Sequence, residues 1–551
     1  MKKTIKFLIL LLLLSSCIKE EIELQKVNSD PFDPSFALPI GNVTMPLSRL
    51  TNQSNRFLMV NPTTGLLEFV FQSESVDLRL SDFFNIANQS VSSSTSMSAT
   101  EVSAFNIVPT GTTYSFSSSN AEAFTVPASE QIDSILIKNG SLSIQVSSSY
   151  SHDISIVLTI PSLIKSGRIY TDTIPLTYTG TTPITQVINL SLSGYKIDLT
   201  DGGTTNNTLR FNFNTTLTKG AAIATTAESI SFNSGFVLSE IDIVHGYFGN
   251  RTITESDTVE YDIFKNSFGG SVSLANPRIE LELFNSTGVT FDAQFTSISA
   301  PDNTVNQNIG GPGLTSFPTI TKANFRGDST ITNHTIDNSN TSPTITDVLN
   351  EMPSKLAFTS SVELNPGGIT KNFFSEDSRL WANTKFLVPL DGRADGFELN
   401  DTNSTKLQDV LGIDSSDADN LNKLTLRLLV TNGIPVSTSI QAYFLDDNNN
   451  VLDSLFVAGS QEILEAGTVN FSVPTSDVNY GRVTSPGKKT VDVILTKEQY
   501  KGLLANNQAK ILYSAKFNTI ENAALKNVKF FPQDYIDIKV SAKVDLTLSL
   551  N

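Results

Sequence analysis

Three histidines, His152, His245 and His334, are spread along the 551 residues, and none has a second imidazole at ligand spacing. A structural zinc site needs four clustered ligands and a catalytic one about three, so the histidines predict no metal centre. Ser151-His152-Asp153 has the residue types of a nucleophile, base and orienting acid. Such groups meet through the fold rather than by adjacency, and no nucleophile-elbow pattern surrounds them; a surface turn is expected. Asp446-Asp447-Asn448-Asn449-Asn450 opens like a calcium loop, but Val451 stands where the loop needs Gly and Val457 where it needs Glu. That stretch is expected to be a polar hairpin turn. The 55 acidic residues allow many carboxylate pairs for glycoside hydrolysis and single out none. The lone tryptophan, Trp381, has a flat face that could stack on a ligand such as a sugar ring. A single Trp in a β-sandwich is more often core, as the 34 Phe are expected to be. No cofactor or metal is expected, and the reading is non-catalytic.

The elements available to position these side chains are strands. Alternation at period two recurs along the chain. Ile135, Ile137, Asn139-Gly140, Leu142, Ile144 and Val146 predict a hairpin with a tight Asn-Gly turn. Ile154 to Ile160 predict a strand stopped by Pro161, and Leu190, Leu192, Ile197 and Leu199 flank a turn at Ser193-Gly194. Leu209, Phe211 and Phe213 predict another strand. Ile279, Leu281 and Leu283 alternate with Glu280 and Glu282, giving a buried and a solvated face. The alternation from Ile536 to Leu550 predicts a long final strand. Helices are expected only at Thr496-Lys497-Glu498-Gln499, a capping-box spacing that leads to Asn506-Asn507, and from Thr346 to Pro353. Polar stretches at Ser90–Ser98 and 303–313 predict loops or linkers.

The N-terminus carries an address. Lys2, Lys3 and Lys6 precede an apolar run, Phe7 to Leu14, which is too short to span a bilayer and the right size for a signal peptide. It ends in Leu14-Ser15-Ser16-Cys17, with the chain's only cysteine last. This segment resembles a bacterial lipobox, which implies cleavage before Cys17 and lipidation of its thiol. Lys19-Glu20-Glu21 resembles the export signal of Bacteroidetes surface lipoproteins. The resemblance implies an outer-membrane, lipid-anchored protein at the cell surface, with the periplasmic face as the alternative. It also implies O-glycosylation where Asp is followed by Ser or Thr and then by an apolar residue or Thr, a pattern that falls at Ser134, Thr173, Thr258, Ser329 and Ser454. Two weaker resemblances concern the body. Asn276-Pro277 with the Ile279–Leu283 strand and Asn285 to Phe295 is similar to late-embryogenesis-type sandwich domains. Leu426 to Pro435, Ile440 to Leu445, the Asp446–Asn450 turn and Leu464-Glu465-Ala466-Gly467 are similar to adhesion-type immunoglobulin-like repeats.

Composition fits this address. The formal charge of −17 becomes −20 once Lys2, Lys3 and Lys6 leave with the leader, and a body so acidic disfavours nucleic-acid partners. Charged residues are 17% and apolar residues 39%, with many Ser, Thr and Asn, which suits strands with one wet face more than helices. The expected fold is all-β, with several antiparallel immunoglobulin-like sandwiches in tandem. The expected division is a signal peptide at 1–16, a lipidated tether at 17–30, an N-terminal β domain at 31–125 and a sandwich at 126–270. A sandwich-like domain at 271–345 and a C-terminal β region at 346–551, with its helix near 496–505, complete it. The leading functional expectation is a non-catalytic binding, adhesion or accessory-subunit role, with an outer-membrane β-barrel or an extracellular ligand as partner. The alternatives are a carrier of an apolar, lipid-like ligand, and a glycan-binding or carbohydrate-active surface protein.

Overall fold

A computed structural model describes residues 35–51, 58–83, 86–127, 129–260, 267–406, 409 and 419–547. Cys17 and the Lys19-Glu20-Glu21 segment lie outside the described residues. The fold is all-β, built from antiparallel ladders with short helices at their ends.

The large sheet has ten strands. Its two halves face each other across a core of aliphatic and aromatic side chains. Phe213 from strand Thr208–Thr218 stacks on Phe232 from strand Ile230–Tyr247 with ring centroids 3.8 Å apart. The short strand Lys196–Asp198 joins the halves by pairing with both Gln131–Ser148 and Asp153–Lys165. A second sandwich packs the five-stranded sheet of Leu58–Val60, Leu67–Arg79, Arg379–Pro389, Arg278–Asn285 and Thr330–Asp337 against a four-stranded one. Ile279, Leu281, Phe295, Ile298, Phe358 and Phe386 fill its interior. In the third, Ser35–Pro46, Tyr535–Leu546, Leu421–Asn432 and Gly487–Thr496 form one sheet, and a seven-stranded sheet forms the other. Helix Lys497–Ala505 closes one end of it. Tyr500 packs with Leu424 and Leu495, and Leu503 packs with Phe444 and Ile511. The Thr496 hydroxyl accepts the Gln499 N–H, and the Gln499 side chain accepts the Thr496 N–H, as the capping box predicts. The other expected helix is Ile345–Leu349, capped by Thr344.

The sandwiches are nested rather than in tandem. Among the described residues, the 31–125 segment forms no sheet of its own: Ser35–Pro46 pairs with the last strand, Leu67–Arg79 joins the middle sandwich, and Gln89–Thr95 and Thr113–Ala123 join the large sheet. Asn372–Ser375 returns from the C-terminal half to pair with Ile230–Tyr247. Alternation reports which face a residue takes, but not which distant strand it pairs with, so the expected linear domains do not appear.

Three local expectations also change. Asn139-Gly140 is no hairpin turn but lies inside the 18-residue strand Gln131–Ser148, where register shifts oppose it to Leu238 and Glu240. A Cβ on Gly140 would lie 2.6 Å from the Val237 carbonyl oxygen, so this is a bulge that needs glycine for close backbone approach. Pro161 does not end its strand but sits in a register break between Ile160 and Ile164, where no ladder hydrogen bond is lost. The serine-rich stretch is largely the strand Gln89–Thr95, followed by the helix Ala99–Ile107, which Ser98 and Glu101 cap. The final strand is described over Tyr535–Leu546, and Leu548 and Leu550 of the expected alternation lie outside the described residues.

Candidate ligand-binding face

The outer face of the five-stranded middle sheet combines aromatic surface with unpaired polar groups. Period-two geometry sends Leu281 and Leu283 inward and Glu280, Glu282 and Phe284 outward on strand Arg278–Asn285. On strand Arg379–Pro389 it sends Leu380, Ala382 and Phe386 inward and Trp381, Asn383 and Lys385 outward. Register then sets these residues side by side. Phe284 lies opposite Trp381 on one side and Ile331 on the other. One repeat along, Glu282 lies between Asn383 and Asn333, and Glu280 lies between Lys385 and Thr335.

Trp381 is therefore not core. It is half-buried on the outer face, stacked on Phe284 with centroids 5.5 Å apart and planes 24° from parallel. Ile331 beside them is 57% exposed. Next to this apolar row, about 7 Å along the strands, is a depression of about 160 Å³ lined by Glu280, Leu281, Glu282, Asn333, His334, Thr335, Asn383 and Lys385.

Part of this face is fixed by its neighbours. Arg278 Nε donates to Glu280 Oε1 at 2.7 Å and its guanidinium reaches the buried Glu68 at 3.4 Å. Asn61 Nδ2 donates to the same Glu68 carboxylate. Gln72 Nε2 donates to Asn383 Oδ1 at 2.9 Å. Asp77, opposite Trp381, pairs with Arg379 at 2.9 Å and with Arg79 at 3.4 Å. By contrast, the Glu282 carboxylate, the Asn333 amide and the Lys385 ammonium have no side-chain partner among the described residues. Glu280 and Glu282 rise from one strand on the same side, and Glu280 is held by Arg278. The arrangement can both donate and accept hydrogen bonds.

Of the other sequence candidates, His334 borders this depression, and the rest are not brought to it. His152 is 1% exposed rather than in a surface turn: its Nδ1 accepts the Gly220 N–H at 3.1 Å, and its ring meets Phe105 edge-on. Burial, reinforced by Lys219, holds its pKa below the usual histidine value. His334 bonds the Gly313 carbonyl in the middle sandwich, and His245 lies in the large sheet beside Phe373. No group of three or more His, Cys, Asp or Glu suited to a metal occurs among the described residues. Asp446–Asn450 is the expected hairpin turn, with the Asp446 carboxylate accepting the Asn448 and Asn450 N–H groups.

Of the modification candidates, Thr173, Thr258 and Ser329 are exposed, Ser454 is half-buried, and Ser134 is buried at 7% exposure. Burial keeps Ser134 from a glycosyl donor in the folded chain. At the other four, the preceding aspartate accepts the N–H of the Ser or Thr.

Inside the middle sandwich two apolar cavities measure about 30 Å³ each, close to the share of one water molecule.

No family model matches the chain, and no curated protein does. Among solved structures, a secreted protein of Parabacteroides distasonis is 15% identical over 55% of this chain and 88% of its own, with a TM-score of 0.26. A Sulfolobus turreted icosahedral virus protein is 11% identical over 80% and 92%, with a TM-score of 0.12. At these scores the likenesses carry no argument about architecture or role.

Proposed function

We propose that the chain is an exported, lipid-anchored protein that binds a ligand or partner outside the cytoplasm without transforming it. The observation that carries this reading is the outer face of the middle sheet, where Phe284, Trp381 and Ile331 lie partly open beside a polar depression. A folded chain ordinarily buries large aromatics, so a row of them beside unpaired hydrogen-bonding groups supports recognition. The leader, Cys17 and Lys19-Glu20-Glu21 support the anchored, outward-facing placement. Adhesion and an accessory role at an outer-membrane barrel both fit such a face. The carrier alternative has less support, because the two cavities described inside the middle sandwich, about 30 Å³ each, fall far below the several hundred Å³ of ordinary ligand pockets.

The test is recovery of partners from cells in mild detergent, comparing the natural chain with a Phe284→Ala, Trp381→Ala double variant exported to the same level. A partner or adhesive phenotype lost in the double variant supports the reading. No partner from either chain, with unchanged adhesion on deletion, contradicts it.

A further inference from the structure

Resting on that reading, we infer that the face formed by Phe284, Trp381, Glu282, Asn333, Asn383 and Lys385 takes a single ring of a neutral saccharide. A pyranose presents apolar C–H surface on its faces and hydroxyls around its rim. The sheet offers the complement on the same scale. Two stacked aromatic rings stand one strand repeat, about 7 Å, from the polar groups. Glu282 has two acceptor oxygens free to receive adjacent hydroxyls. The Asn333 amide can donate and accept, and the Asn383 Nδ2, left over once Gln72 has bonded its Oδ1, can donate. The Lys385 ammonium adds donors.

Size and charge narrow the class. The depression, about 160 Å³, equals roughly five water volumes and lies below the roughly 300 Å³ at which drug-sized pockets begin. It accepts one ring or chain end and leaves the rest of a polymer in solvent. Arg278 is shared by Glu280 and Glu68, and Lys385 lies opposite Glu280 with Glu282 one repeat along, so no net positive charge remains to hold an anion. Uronic and sulfated sugars are therefore disfavoured, and the acidic body as a whole acts the same way.

Trp381 is the only tryptophan, so its emission reports on this face without labelling. The full mature chain would be titrated with neutral oligosaccharides (α-glucan, β-glucan, mannan, xylan and N-acetylated chitin fragments) and with alginate as a uronate. Calorimetry would run beside the emission. The expected result is a saturable response to at least one neutral oligosaccharide, no response to alginate, and at least a tenfold weakening in Glu282→Ala. Asn383→Ala would give the same weakening, and both variants would keep the natural thermal midpoint. Absence of a response to every neutral sugar, or Glu282→Ala binding as the natural chain does, overturns the saccharide assignment. Acrylamide quenching separates that failure from the broader one. If Trp381 is readily quenched, the open face stands and only the ligand class falls. If Trp381 is shielded, the face is covered and both readings fall.

Discussion

At the scale of single residues, parity along the strands decides the account. Phe284 follows Leu283 and shares a face with Glu280 and Glu282, so its outward direction was readable from the alternation. Trp381 stands out of phase with Leu380 and Ala382, yet lone tryptophans are so often core that residue type outweighed phase. Asn333 and Asn383 carry no signal of their own, because only register places them beside Glu282. Burial also sets titration. The Glu130 carboxyl is pushed up to about 7 by burial, against the pull of its partner Arg251, and burial pushes Asp534 up to about 6. Between about 4.5 and 7 the folded chain holds a proton at Glu130 that the unfolded chain has released, so stability falls as pH rises through that window. For Glu130 the loss is on the order of 3 kcal/mol. His152 and His245, whose pKa values burial lowers, act in the opposite sense, so the check is a difference: from pH 4.5 to 8 the thermal midpoint of the natural chain is expected to fall relative to that of Glu130→Gln. An unchanged slope in that variant would contradict the assignment.

At the scale of elements, strands and capped helices were legible because their signals are local. Thr496 and Gln499 specify a helix start by reciprocal hydrogen bonds three residues apart. The alternation from Ile536 onward marks a strand wherever its partners lie. Asn139-Gly140 misled because the same dipeptide that suits a tight turn also suits a bulge, and only the approach of Val237 distinguishes them. Gly140→Ala is accordingly expected to destabilise the chain by about 1–3 kcal/mol in denaturant unfolding. Gly41→Ala, where nothing lies within 4 Å of the added carbon, is expected to be near neutral. Equal effects at the two sites would show that the bulge tolerates a side chain.

At the scale of the whole molecule, the nested order of the sandwiches was not legible, since it rests on pairings such as Ser35–Pro46 with Tyr535–Leu546, nearly 500 residues apart in sequence. One consequence is that the first described strand, which follows the tether region directly, is held by the last. In the proposed placement, the lipid at Cys17 precedes that first strand in sequence and the body lies outside the cell. The chain then continues into the middle sandwich, whose outer sheet face carries Trp381. That placement depends on Cys17 being acylated and on the body lying outside the cell. The most direct measurement is protease shaving of intact cells combined with mass spectrometry of the Cys17 peptide. The account predicts body peptides released from intact cells, with an acylated Cys17 peptide left in the membrane fraction. An unmodified Cys17, or a body protected until the outer membrane is opened, would contradict it.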